Sequence, residues 1–178
     1  MRLKKLLPVA LFAGLTALGA FLRIPVGYTS FTLQTFFCCL AGLLLGPFRG
    51  AASQAAYVLL GLTGVPVFAQ GGGLMYFAVP SAGFLLGLIP MAFTVGLLRN
   101  LLKKTSPCRL LLANIGGLFV LYVCALPYLY LFLGNVSFRD TLIYGCLIYL
   151  PFDLIKLLAT ALLGARLLPI VQKATHEY

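Results

Sequence analysis

One stretch of this chain sets opposite charges inside an apolar run: Leu150-Pro151-Phe152-Asp153-Leu154-Ile155-Lys156. Only three acidic residues occur, and the other two, Asp140 and Glu177, fall in a loop and in the polar tail. An Asp or a Lys within a membrane span costs about 2.5–3.5 kcal/mol on insertion scales. At i and i+3, Asp153 and Lys156 share a helix face, so each offsets the other's charge. Pro151 suits the first turn of a helix, where its missing N–H is no loss. Asp153 then stands where the helix dipole favours an anion. Two uses fit such a pair. It can floor a ligand cavity, the carboxylate accepting hydrogen bonds and the ammonium donating them, or it can be a self-satisfied ion pair that holds helices together. Ionisable residues inside a membrane favour the first use.

Gln54 is the next candidate, four residues after Gly50 and three before Tyr57. Its amide should point inward, either to a ligand or to a neighbouring helix. Thr32 and Gln34 open a helix and serve as capping or as pocket groups. Tyr128, Tyr130, Tyr144 and Tyr149 lie near a span boundary, where interfacial anchoring explains most of them. The Gly71-Gly72-Gly73 run lacks the Lys-Ser/Thr of a phosphate loop, so a flexible gate or a close backbone approach to a ligand fits it better. No enzyme constellation is visible: the single histidine, His176, lies in the tail, and no Walker motif or second carboxylate accompanies Asp153. No metal site or cofactor is expected. The five cysteines show no C-x-x-C spacing and read as small buried hydrophobes.

These residues need a scaffold, and the composition names its solvent. The 178 residues are 62% hydrophobic and 9% charged, against about 25% charged in soluble domains. The bilayer must therefore cover most of the chain. A span needs about 20 apolar residues, which leaves room for six and for no separate soluble domain. The breaks place the helices at residues 6–24, 32–46, 51–68, 82–98, 110–133 and 151–169. The expected fold is an all-α bundle of six transmembrane helices in one integral membrane domain, residues 1–178. The stretch 141–150 reads as a short approach to the last helix.

The net charge of +10 carries no basic stripe with interleaved aromatics, so nucleic acid is not an expected partner. The basic residues instead mark the sides of the membrane. Arg2, Lys4, Lys5, Arg49, Arg99, Lys103, Lys104, Arg109, Arg166 and Lys173 gather on one side, and Arg23 and Arg139 on the other. That bias puts both termini in the cytoplasm of a multi-pass plasma-membrane protein. A cleaved signal peptide is not expected. Ala10, Ala13, Ala17 and Ala20 form a small-residue stripe on the first helix. Such stripes let helices approach closely in lipid, either within the bundle or against a separate membrane partner.

Several segments resemble the BioY family of biotin transporters. Ile24-Pro25-Val26 followed by Phe31-Thr32-Leu33-Gln34-Thr35-Phe36 is similar to that family's first loop. Leu40-Ala41-Gly42-Leu43-Leu44-Leu45-Gly46-Pro47-Phe48-Arg49-Gly50-Ala51, Ser53-Gln54 with Tyr57, and Gly64-Val65-Pro66-Val67-Phe68-Ala69 continue the likeness. Pro80-Ser81-Ala82-Gly83-Phe84-Leu85 is similar to a Gly-Pro-Thr-Gly-Gly-Tyr-Leu segment, and Pro151 to Lys156 resembles Pro-Gly-Asp-Leu-Ile-Lys with Phe152 in place of Gly. The likeness covers nearly the whole chain in order.

The resemblance implies the substrate-capture (S) component of an energy-coupling factor (ECF) transporter, with an outward-facing biotin pocket. Its implied partners are a transmembrane coupling subunit, docked on Ala13 and Ala17, and two ATPase subunits. It implies Asp153 and Lys156 as polar pocket residues, with Gln54 in a matching segment. Charged partners suit the biotin ureido ring, which offers two N–H donors and a carbonyl. Phe31, Phe68, Tyr76 and Tyr149 are candidate walls, and Gln70 or the glycine amides are candidates for the carboxylate end. The alternatives are another vitamin, a membrane enzyme using Asp153 as a proton carrier, and an assembly subunit without a ligand.

Overall fold

The computed structural model describes residues 2–26, 29–102, 106–134 and 136–176. Helix α1 (Arg2–Phe21) leads into a hairpin of β1 (Arg23–Val26) and β2 (Thr29–Thr32). Helices α2 (Gln34–Leu45) and α3 (Pro47–Leu62) follow, then a 3-10 turn at Leu74–Ala78. Helices α4 (Ala82–Leu102), α5 (Pro107–Leu133), α6 (Phe138–Leu142) and α7 (Leu150–His176) complete the chain, with a π turn at Ile143–Leu147 before α7.

The chain is mostly helical, but the hairpin is a departure from the expected all-α fold. β1 and β2 pair antiparallel, Arg23 opposite Thr32 and Val26 opposite Thr29. Ile24, Val26, Thr29, Phe31 and Thr32 are branched or aromatic types that favour strands. They end α1 at Phe21, three residues short of the expected boundary, and hold Thr32 outside α2. The Gly27-Tyr28 pair, in the break expected between the helices at 6–24 and 32–46, lies outside the described residues.

The third expected helix also shifts, from 51–68 to Pro47–Leu62. Gly46 alone separates α2 from α3; its φ of 81° turns the chain sharply, and Pro47 starts α3 at once. At the far end Gly64 takes φ 101° and Pro66 cannot extend the helix. The chain then doubles back. Phe68 pairs with Gly71, and its ring lies against Gly61, where a Cβ would meet it at 2.1 Å. The remaining helices run past their expected ends because Arg99, Asn100, Leu101 and Leu102 extend α4 and Pro107 begins α5. The break between these two helices, expected at 99–109, is therefore shorter, and Lys103 and Lys104 within it lie outside the described residues.

The helices surround a common core in the order α1, α2, α7, α5, α4, α3, with α3 returning to α1 and α2 crossing to α4. Gly42 of α2 makes that crossing possible: a Cβ there would stand 2.6 Å from the Ala92 carbonyl of α4. Among the described residues, three helical stretches are long and apolar enough to cross a membrane, Ala82–Leu102, Pro107–Leu133 and Phe138–Val171, beside the shorter apolar helices Leu6–Phe21 and Gln34–Leu45.

Candidate functional site

The hairpin, α2, α4, α5 and the start of α7 border one cavity. Asp153 and Lys156 form one wall. Pro151 occupies the first turn of α7, and the Asp153 N–H reaches the Tyr149 carbonyl at 2.9 Å. That turn carries Asp153 and, three residues on, Lys156 to the same face. Their charged groups meet at 2.5 Å, and both side chains are buried.

A buried ion pair holds only if its remaining hydrogen-bonding capacity is met, and here it largely is. The Lys156 ammonium donates to the Thr32 carbonyl at 3.0 Å and the Thr35 hydroxyl at 2.7 Å. With Asp153, these occupy all three of its N–H groups. The Phe31 ring lies beside the ammonium, its centroid 4.5 Å away, in cation–π range. The Tyr122 hydroxyl donates to the other Asp153 oxygen at 2.5 Å. A carboxylate has about four acceptor positions, so Asp153 can still accept from a ligand.

Other groups of the lining are polar without a charge. The Tyr76 hydroxyl lies 3.1 Å from the Ser81 hydroxyl, and Ser30 is a further polar lining residue. Burial pushes the Tyr76 phenol up, while its bond to Ser81 and the nearby Arg23 charge draw it back. Tyr76 is therefore a neutral hydroxyl at ordinary pH. Phe84, Leu85, Leu88 and Leu121 form an apolar belt. Gln34 also lines the cavity, accepting from the Thr32 hydroxyl at 2.9 Å and donating to the Tyr57 hydroxyl at 2.8 Å. Tyr57 in turn donates to the Val67 carbonyl at 3.1 Å, tying the cavity wall to the loop after α3.

Of the residues expected at the site, Asp153, Lys156, Phe31, Tyr76 and Tyr149 line the cavity. Three expected there stand elsewhere. Gln54 is fully buried in the seam between α1 and α3, where it donates to Thr16 at 3.2 Å and Ser53 at 3.1 Å. Phe68 lies behind the cavity, its ring against those of Tyr57 and Tyr76. Gln70 is exposed and outside the lining. Ala13 and Ala17 turn into the bundle core, 9% and 8% exposed. The outward stripe of α1 is instead Leu11, Gly14 and Leu18, with open space around Gly14.

Tyr122 and Thr35 were not anticipated as site residues. A signal for Tyr122 existed: a tyrosine far from either end of a long apolar helix must find a partner for its hydroxyl.

An apolar helical bundle enclosing a cavity with a charged wall is the architecture of a membrane protein that holds a small solute. The BioY family model matches residues 1–173. A probable biotin transporter BioY of Lysinibacillus sphaericus is 38% identical over 95% of this chain and 89% of that protein. The biotin transporter BioY of Thermotoga maritima is 37% identical over 93% and 96%. The crystal structure of an S-component for biotin from an ECF-type ABC transporter superposes with a TM-score of 0.84 and 29% identity, covering 93% of this chain and 91% of that one. The chain belongs to the BioY family.

Proposed function

We propose that this chain captures biotin in the cavity beside Asp153 and Lys156 and releases it with an ATP-driven coupling module. Family membership makes it a biotin-transport protein of the plasma membrane, an S-component type of subunit rather than an enzyme. The observation that carries the binding reading is the charged wall with open space in front of it. Asp153 accepts from the ureido N–H groups. The ureido carbonyl takes a donor from Lys156 in exchange for Thr35, whose hydroxyl can rotate away while the Thr32 carbonyl is fixed in the backbone. The apolar belt covers the thiophane and the valeryl chain.

In this reading the chain is one six-span domain with both termini cytoplasmic, in keeping with the charge asymmetry. The coupling subunit docks on α1. Because Ala13 and Ala17 pack inward, the docking contact falls to the outward face around Leu11, Gly14 and Leu18. Two ATPase subunits supply the energy that a chain without a Walker motif does not.

The test is a competition panel on the purified chain in nanodiscs. Unlabelled biotin should displace labelled biotin, while thiamine and lipoate at equal concentration should not. Displacement by either would reassign the vitamin, and absence of saturable binding would reject capture by this cavity.

A further inference from the structure

The floor of the cavity can recognise a ureido ring, but it cannot neutralise an acid. The Lys156 charge is matched by Asp153 at 2.5 Å, and its other two N–H groups are taken by Thr32 and Thr35. A carboxylate entering the cavity meets a wall of zero net charge. Biotin carries its carboxylate at the end of a flexible chain, away from the ureido ring, so a separate cation would favour binding.

Arg23 occupies a suitable place. It is the cross-strand partner of Thr32, so the two side chains leave the hairpin on the same face, about 5 Å apart at Cβ. Thr32 lines the cavity, and so do Ser30 and Phe31 before it and Gln34, which Thr32 contacts. The charge of Arg23 acts on Tyr76, and the Tyr76 and Ser81 hydroxyls, 3.1 Å apart, both line the cavity. Arg23 is exposed, and the only ion pair among the described residues is Asp153 with Lys156. Its guanidinium is therefore uncommitted to any carboxylate there. Neither Arg23 nor Arg139 is itself in the lining, but Arg23 is paired with Thr32, which is, whereas Arg139 sits on α6, which contributes no lining residue.

Resting on the biotin reading above, we propose that Arg23 selects the ligand's carboxylate, with the Tyr76 and Ser81 hydroxyls beside it. The guanidinium offers N–H donors in a fork that matches a carboxylate. Because Arg23 is exposed, its contribution is modest and falls with salt. The cavity then reads its ligand at both ends, a neutral hydrogen-bonding ring at Asp153 and an anion at Arg23.

The experiment compares biotin with its neutral carboxamide, which keeps the ureido ring and differs only at the acid. Equilibrium binding to the purified chain in nanodiscs is measured for wild type, Arg23→Gln and Arg23→Lys, with melting curves to confirm folding. Arg23→Gln should weaken biotin about fivefold and leave the carboxamide unchanged, and Arg23→Lys should retain most of the preference. Added salt should shrink the wild-type preference and leave Arg23→Gln unaffected. An equal loss for both ligands would make Arg23 a support of the hairpin only. No loss for either, or a wild type indifferent to the acid, would overturn the assignment while the biotin reading stands. A folded wild type that binds neither ligand would overturn both.

Discussion

Asp153 and Gln54 are both polar, both buried and both bonded to side chains of other helices, yet their surroundings differ. Asp153 joins Lys156, Tyr122, Thr32 and Thr35 on the wall of a cavity. Gln54 joins Thr16 and Ser53 where α1 meets α3, outside the cavity lining, and its Oε1 has no hydrogen-bond partner among the described residues. Asn114 repeats the second pattern between α5 and α7, donating to the Leu157 carbonyl and Thr160 while its Oδ1 has no partner among the described residues. Burial and polarity therefore do not mark the site by themselves. The site is the cluster with room for a further hydrogen-bonding partner, and the seams are clusters whose partners are already the neighbouring helices.

This contrast orders the effects of substitution. The largest belongs to Lys156→Met, which leaves the Asp153 carboxylate buried without its partner. Breaking such a pair costs about 3–5 kcal/mol, so the variant should melt well below wild type and lose biotin binding. Tyr122→Phe should follow. It removes one hydrogen bond to a charged group, which is worth about 1.5–3 kcal/mol, and titration calorimetry should show biotin binding weakened at least tenfold. Gln54→Leu should be smallest for the ligand. It removes two hydrogen bonds in the seam, to Thr16 and Ser53, along with an acceptor that has no partner among the described residues, so the melting temperature should fall modestly while biotin affinity stays within about twofold of wild type. A binding loss there equal to that of Tyr122→Phe would erase the distinction between cavity and seam.

The sequence revealed the charged pair because ionised groups are costly in lipid whatever the fold. It revealed the helices because apolar length decides them. It did not reveal which way a face turns. The spacing of Ala13 and Ala17 suits close packing against any helix, inside the bundle or outside it, and only the positions of α2 and α3 decide. Gln54 posed the same problem, since an inward amide meets a cavity or a seam according to its neighbours. Phe68 moved from helix to loop because Gly64 and Pro66 end α3 early, and the chain then folds the ring back over Gly61. Tyr122 lay within a run whose apolar pattern drew attention away from its hydroxyl.

The most direct test of the cavity account is protection of the purified chain against heat by biotin. A ligand that binds only the folded state raises stability in proportion to the logarithm of its concentration over Kd, about 2.7 kcal/mol at a hundredfold excess. Wild type and Gln54→Leu should both gain melting temperature as biotin is added, and the double variant Asp153→Asn/Lys156→Met should fold and gain none. A folded double variant still protected by biotin, or a Gln54→Leu variant that loses protection, would contradict the placement of the site.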